Sequence, residues 1–264
     1  MATLISFHAH PDDEAIACGG TIARAAAEGH RVVVIFATKG EYGEVSPGFL
    51  SPGEELWERR EKEVATAADI LGVRRVEYLG YVDSGMMGTP ENDAPGSFWQ
   101  ADVDEAAERL AAILVEEEPT AFTIYDESGG YGHPDHMQVH RVGVRAAELA
   151  GTANVFEAVI DRDRALEMLR GARESGLADR FSEMDMPDES ELETIGVPAE
   201  VVTHDVDVKG FLSQKRAAMA AHASQISETS FFLALPSEVS DLVWGIESYV
   251  LRGAPSGTKG DWIL

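Results

Sequence analysis

The chain has 264 residues, with 47 acidic side chains against 21 basic ones and a formal charge of −26 when histidine is neutral. A polyanion of this size is repelled by phosphate backbones and anionic lipid surfaces, which argues against nucleic-acid and membrane partners. The 44% hydrophobic fraction excludes disorder, and this length suits one α/β domain or one domain with an appendage.

The lone Cys18 permits no internal disulfide. No apolar run approaches the ~18 residues of a membrane span. The opening MATLISFHAHPDDE meets charge too early for a secretory leader, so a cytoplasmic location is expected. Five of the basic residues are lysines (Lys39, Lys62, Lys209, Lys215, Lys259) and sixteen are arginines. A lysine-poor, acid-rich surface fits a high-salt cytoplasm or, equally, an acidic bias in a GC-rich genome.

In chain order, Thr3–Phe7 is a short β-prone run that ends in polar residues and Pro11, where a helix can begin. An alanine-rich helix over Glu14–Glu28 stops at Gly29, and Arg31–Ala37 is apolar enough for a parallel strand buried on both faces. A helix over Glu54–Leu71, a strand over Arg74–Leu79, a helix over Asp102–Glu117 and a strand over Thr120–Tyr125 keep the βα rhythm. A helix over Asp135–Ala150 and a strand over Val155–Ile160 complete five strands and four helices. The expected fold is α/β, a Rossmann-like, doubly wound, mostly parallel sheet with right-handed crossovers.

Beyond this core of about 1–160 the pattern is less regular. A helix is expected over Arg164–Gly176. From Phe181 to Val208 there are nine acids and no lysine or arginine, which reads as a solvated insertion or cap spanning about 161–208. Within it Val201–Val208 offers an edge strand. Residues 209–264 are expected to supply C-terminal helices, over Gly210–Ala223 and Ser237–Leu251. With no repeat and no linker, 1–264 is expected to be a single domain.

Chemistry-bearing residues concentrate where ligands bind in such sheets, at strand carboxyl ends. His8-Ala-His10-Pro11-Asp12-Asp13-Glu14 follows the first strand, and Gly129-Gly130-Tyr131-Gly132-His133-Pro134-Asp135-His136 follows the strand ending near Tyr125. His10 and Asp13 from one turn and His136 from the other are placed to meet as a metal site. His, Asp and His suit a borderline divalent ion, Zn²⁺ first and another divalent transition metal second, and leave a position for water. Asp12, beside a ligand but pointing elsewhere, suits a general base. His133 suits a donor to a developing oxyanion or leaving nitrogen, and Asp135 is expected to orient that imidazole and raise its pKa. His8 is expected to support His10 from the same strand end. Cys18 reads as a small helix-packing residue. No G-x-G-x-x-G or Walker loop follows the first strand.

His10-Pro-Asp-Asp-Glu14 with His133-Pro-Asp-His136 resembles the PIG-L/LmbE-like de-N-acetylases, zinc enzymes acting on N-acetylglucosamine conjugates. The resemblance extends through Gly40–Val45, Arg60-x-x-Glu63, Asp83-Ser-Gly-Met86 and Lys215 to Gln225, and is nearest the mycothiol-pathway branch with its deacetylases and S-conjugate amidases. It implies zinc on His10, Asp13 and His136, Asp12 as base, and transition-state stabilisation by His133 supported by Asp135. It further implies that Tyr131 polarises the amide carbonyl and that Glu44, Arg60, Asp83, Met86 and His222 contact a small-molecule N-acetylated amino sugar. Family members form homo-oligomers, and such assembly is expected here. The expected reaction is hydrolysis of an N-acetyl group to free amine and acetate. Three alternatives remain: an amidase for a larger amide such as a thiol S-conjugate, a catalytically silent sugar-binding module, and a phosphoesterase, for which Lys39 and Arg60 are too few cations.

Overall fold

The structure is a computed structural model and describes residues 1–174 and 188–264. Four βα units and a fifth strand build its first part: β1 (Thr3–His8), α1 (Asp13–Ala27), β2 (Arg31–Phe36), α2 (Leu56–Leu71), β3 (Arg75–Tyr78), α3 (Val103–Glu117), β4 (Ala121–Tyr125), a helical turn α4 (Gly129–Gly132), α5 (Pro134–Ala150) and β5 (Val155–Val159). There follow α6 (Arg162–Glu174), the turn α7 (Glu189–Leu192), β6 (His204–Asp207), α8 (Leu212–Ala221), the turn α9 (Phe231–Ala234), α10 (Ser237–Trp244) and β7 (Ile246–Leu251).

The strands form one seven-stranded sheet in the order β3-β2-β1-β4-β5-β7-β6. β1 to β5 run parallel, and β7 pairs antiparallel with both β5 and β6. Successive side chains of β1 point to opposite faces, so Leu4 joins one core cluster while Ile5 and Phe7 join the other. The first cluster is closed by Ile22 of α1, Val64 and Leu71 of α2 and Met219 of α8; the second by Leu110 and Leu114 of α3 and Val139 and Val142 of α5. The result is a three-layer sandwich of the doubly wound kind.

The helix expected over Ser237–Leu251 is corrected. It ends at Trp244, Gly245 breaks it, and Ile246–Leu251 becomes the strand β7. In this strand Glu247 and Tyr249, two positions apart, both reach α1: Glu247 accepts the Gly20 and Thr21 amides at 2.8 and 2.7 Å, and the Tyr249 hydroxyl donates to Thr21 at 2.9 Å. The edge strand expected over Val201–Val208 is present as β6, at the end of the sheet, while the solvated reading of 181–208 is corrected there because Val202, Val206 and Val208 are buried. Residues 202–208 therefore belong to the sheet layer, where valines alternate with the acids. Within the remainder, Glu189 of α7 pairs with Arg170 and Arg173 of α6. Part of the expected acidic segment, 181–187, and the end of the helix expected to Gly176 lie outside the described residues.

Charge is organised on the fold as well. Glu117, at the end of α3, accepts from Arg31 at 2.6 and 2.8 Å and from Arg75 at 2.7 Å. These hydrogen bonds, Arg31 first, hold its carboxyl at about 2, below the ordinary 4.5. A group depressed in the folded state stabilises fully above its unfolded pKa and loses that contribution as pH falls through the folded one. Glu117→Gln should therefore narrow the stability difference between pH 5 and pH 2 measured by urea unfolding. Equal slopes for the two proteins would show that the network contributes nothing.

Candidate active site

β2 and β3 lie to one side of β1, whereas β4 and β5 lie to the other. The winding direction reverses between β1 and β4, so the loops leaving these neighbours diverge and open a crevice at their carboxyl ends. Both histidine clusters occupy those loops.

His10 is the hub. Its Nδ1 lies 3.6 Å from Asp13 Oδ2, and its Nε2 lies 3.0 Å from Asp135 Oδ2 and 3.4 Å from Asp83 Oδ1. The same Asp13 oxygen is 3.4 Å from His136 Nε2. Asp13 thus touches both histidines, and the His10 and His136 rings are 5.5 Å apart. Burial lowers the pKa of His10, but the Asp83 charge and hydrogen bonds donated to Asp13, Asp135 and Asp83 outweigh it and raise the net value well above 6.5. Burial raises Asp13, yet His136 and His10 hold it well below the usual range.

Two observations test whether the residues suit a metal. The buried His136 Nε2 has no hydrogen-bond partner, and ring nitrogens of His10, His133 and His136 all fall within 4.8 Å of one another, as do ligand atoms of His10, Asp83 and Asp135. An unsatisfied buried imidazole nitrogen is costly unless it has a ligand, so these donors suit a divalent ion, although neither converging group includes Asp13, the ligand expected beside His10 and His136.

Asp12 stands apart from that set. Its carboxylate Oδ2 receives Arg60 Nη2 at 3.1 Å, and its backbone has φ 104°. Burial pushes its carboxyl up to about 6 against the lowering effect of Arg60.

His133 begins α5, and its Nδ1 accepts the Asp135 backbone N–H at 3.2 Å. That bond fixes the neutral tautomer with the proton on Nε2, the form able to donate. The expected partnership is corrected here. The Asp135 carboxylate goes to His10 and to the Ser84 amide (2.9 Å) and hydroxyl, and burial followed by the charges of His10 and His136 lowers His133 to about 4 instead of raising it. Gly129, at φ 66°, lets the preceding loop pass α5 closely, since a Cβ there would lie 2.6 Å from His136 Cβ. Tyr131 is 55% exposed, with its ring centroid 4.9 Å from that of His136.

Of the expected substrate contacts, Glu44 and Met86 are exposed, Met86 by 52%. The other three are corrected, because each is buried among protein partners. Arg60, 3% exposed, donates to the carbonyls of Pro11 and Gly40 as well as to Asp12. Asp83 accepts the Gly85 and Tyr42 amides at 2.8 and 3.2 Å and faces His10. His222 is fully buried, with Nε2 2.6 Å from Glu14 Oε1.

His8 does not support His10 directly; its Nδ1 meets the Tyr125 hydroxyl at 2.8 Å and its Nε2 meets Ser6 Oγ at 2.6 Å. Tyr125 in turn stacks on His136 at 4.5 Å, so this buried polar string braces the second loop. Cys18 is buried with its thiol pushed up to about 12 by desolvation, which suits packing. Sequence reasoning passed over Glu14 and Ser84, although both stand inside quoted motifs. Glu14 accepts the Asp12 amide two residues back, but its other partner, His222, and Ser84's partner Asp135 come from distant parts of the chain.

Fold and site together define an α/β protein with a His/Asp metal-type centre at the switch point and an unligated acid beside it. Residues 5–147 match the model of the family described as PIG-L, GlcNAc-PI de-N-acetylase, and the chain belongs to that family. It is 38% identical to the 1D-myo-inositol 2-acetamido-2-deoxy-alpha-D-glucopyranoside deacetylase of Acidothermus cellulolyticus, covering 99% of this chain and 92% of the relative. The protein of the same name from Streptomyces avermitilis is 41% identical, covering 97% and 95%.

Among solved structures the fold resembles N,N'-diacetylchitobiose deacetylase from Pyrococcus horikoshii (TM-score 0.58, 18% identity, 95% and 84% covered). It also resembles GalB, a 4-carboxy-2-hydroxymuconate hydratase from Pseudomonas putida KT2440 (TM-score 0.64, 18% identity, 98% and 99% covered). A hydratase among these neighbours shows that the fold alone does not fix the reaction. Among the described residues no helix is long and apolar enough to cross a membrane.

Proposed function

We propose that this chain is a zinc-dependent amidohydrolase that removes the N-acetyl group of an N-acetylglucosamine-type conjugate, with the N-acetylglucosaminyl-inositol named in its relatives as the leading substrate. The observation that carries the reading is the position of Asp12, a carboxylate with one free oxygen beside the His10, Asp13 and His136 set. A bare binding module has no use for such a group.

His10, Asp13 and His136 would hold the ion, which when bound supplies Lewis acidity to the amide carbonyl and acidity to the attacking water. Arg60 occupies Asp12 Oδ2 and leaves Oδ1 to take the proton of that water. His133, neutral with its proton on Nε2, donates to the oxygen as the carbonyl becomes tetrahedral. Tyr131 reaches the same oxygen from the loop. The proton held by Asp12 then passes to the leaving nitrogen, giving free amine and acetate.

A second reading, cleavage of a larger amide, draws on the mouth of the site. Tyr42 (48%), Met86 and Met87 (both 52%) and Tyr131 (55%) are large apolar side chains left exposed near it, more than a small acetamido sugar needs. One experiment addresses both. Acetate release from N-acetylglucosaminyl-inositol and other N-acetylglucosamine conjugates should appear with zinc and vanish after chelation and dialysis. Faster cleavage of a bulky S-conjugate amide instead would transfer the assignment to the second reading, and full activity in the metal-free protein would remove the metal from the mechanism.

A further inference from the structure

We propose that Glu14 and His222 are positioning residues for the Asp12 base, forming a buried carboxylate–imidazole clamp on its backbone; the catalytic consequence rests on the deacetylase reading above. Among the described residues only Asp12 and Glu118 depart from glycine with positive φ, and Asp12 does so at 104°. Such a conformation is strained and persists only where the surroundings over-determine it.

The surroundings here are specific. Glu14 Oε2 accepts the Asp12 N–H at 2.9 Å, and Glu14 Oε1 is held by His222 Nε2 at 2.6 Å. Arg60 closes the other side on the Pro11 carbonyl and Asp12 Oδ2. Glu14 is 3% exposed and His222 fully buried, so neither touches substrate.

His222 comes from the far end of the chain, just after α8, and that segment is itself fixed. Ser224 donates to Glu63 through its amide at 2.9 Å and its hydroxyl at 2.7 Å, and Gln225 Nε2 donates to the Glu44 carbonyl at 3.3 Å. A buried ionisable pair adds little stability over an apolar pair of the same volume. Its use lies in direction: the imidazole orients a carboxylate whose second oxygen sets the angle of the base.

The test uses the zinc-loaded full chain. His222→Ala and Glu14→Ala should each lower kcat about 10²-fold, as for a base misplaced by about an ångström, with KM and zinc stoichiometry little changed. His222→Gln, whose amide can donate to Glu14, should recover most of the rate. His222→Phe fills the volume without the donor and stands in if the alanine variant does not fold. In an Asp12→Asn background His222→Ala should cost nothing more, because the clamp acts only through the base.

A readout free of turnover is amide hydrogen exchange at Asp12, which should quicken about tenfold in either alanine variant when its hydrogen bond weakens. Multiplicative losses in the double mutant, or unchanged exchange at Asp12, overturn the clamp. If the parent releases no acetate, the deacetylase reading falls, while exchange at Asp12 still decides the clamp.

Discussion

Replacing Asp12 by asparagine is expected to leave a folded, zinc-loaded protein whose kcat is at least ~10²-fold lower, the usual cost of losing a general base. Asparagine is isosteric and tolerates the left-handed backbone, so the Arg60 contact to an oxygen at 3.1 Å and the φ of 104° can both survive. What disappears is an oxygen able to take a proton. Asp12→Ala should lose activity to the same extent and also lose about 1–2 kcal/mol of stability, because a Cβ residue without a polar side chain is strained in that backbone region. The pair of variants separates chemistry from folding. Metal analysis and acetate-release kinetics on both are the check, and an asparagine variant with parental kcat would end the assignment of Asp12 as base.

The second large effect lies two turns farther along α1. Lys215 and Glu247 form an ion pair at 2.6 Å with both residues almost wholly buried, and the same carboxylate serves the Gly20 and Thr21 amides. Removing one member of such a pair leaves an uncompensated charge in a poor solvent, which costs about 3–5 kcal/mol. Lys215→Met is therefore expected to lower unfolding free energy by that amount in urea titrations. The double change Lys215→Met, Glu247→Gln should regain part of it, since the glutamine carbonyl still accepts one helix amide without carrying charge. A cost below about 1 kcal/mol for the single variant would mean that the pair is solvated or dispensable.

The parallel part of the fold was readable because strands buried on both faces have a simple pattern. Arg31–Phe36 is almost all valine, isoleucine and phenylalanine, and the helices around it end at Gly72 and Gly151 in the left-handed conformation. β7 escaped notice because Glu247 mimics the polar face of a helix, and its burial is made tolerable by Lys215 and by the Gly20 and Thr21 amides, all far back in the chain. The same physics governed the site. His10, Asp12, Asp13, His133 and His136 stand in two short motifs at adjacent strand ends, so local sequence brings them forward. Arg60, Asp83 and His222 are visible as residues, but their work depends on contacts made by folding. A histidine bonded to a glutamate 208 positions away has no local signature, and Asp135 turns from His133 to His10 because Ser84 approaches from another loop.

The strand order carries a consequence for biosynthesis. Because β7 lies between β5 and β6, the edge of β5 stays open and β6 has no sheet neighbour until residues 246–251 have emerged from the ribosome. The first five strands can pair in the order they are made, whereas the last two must wait and then close from the chain's end backward. During that interval a row of unpaired amides and carbonyls on β5 faces solvent, a template for another nascent chain. Slow release or premature termination of translation is thus the circumstance in which this protein is most exposed to aggregation.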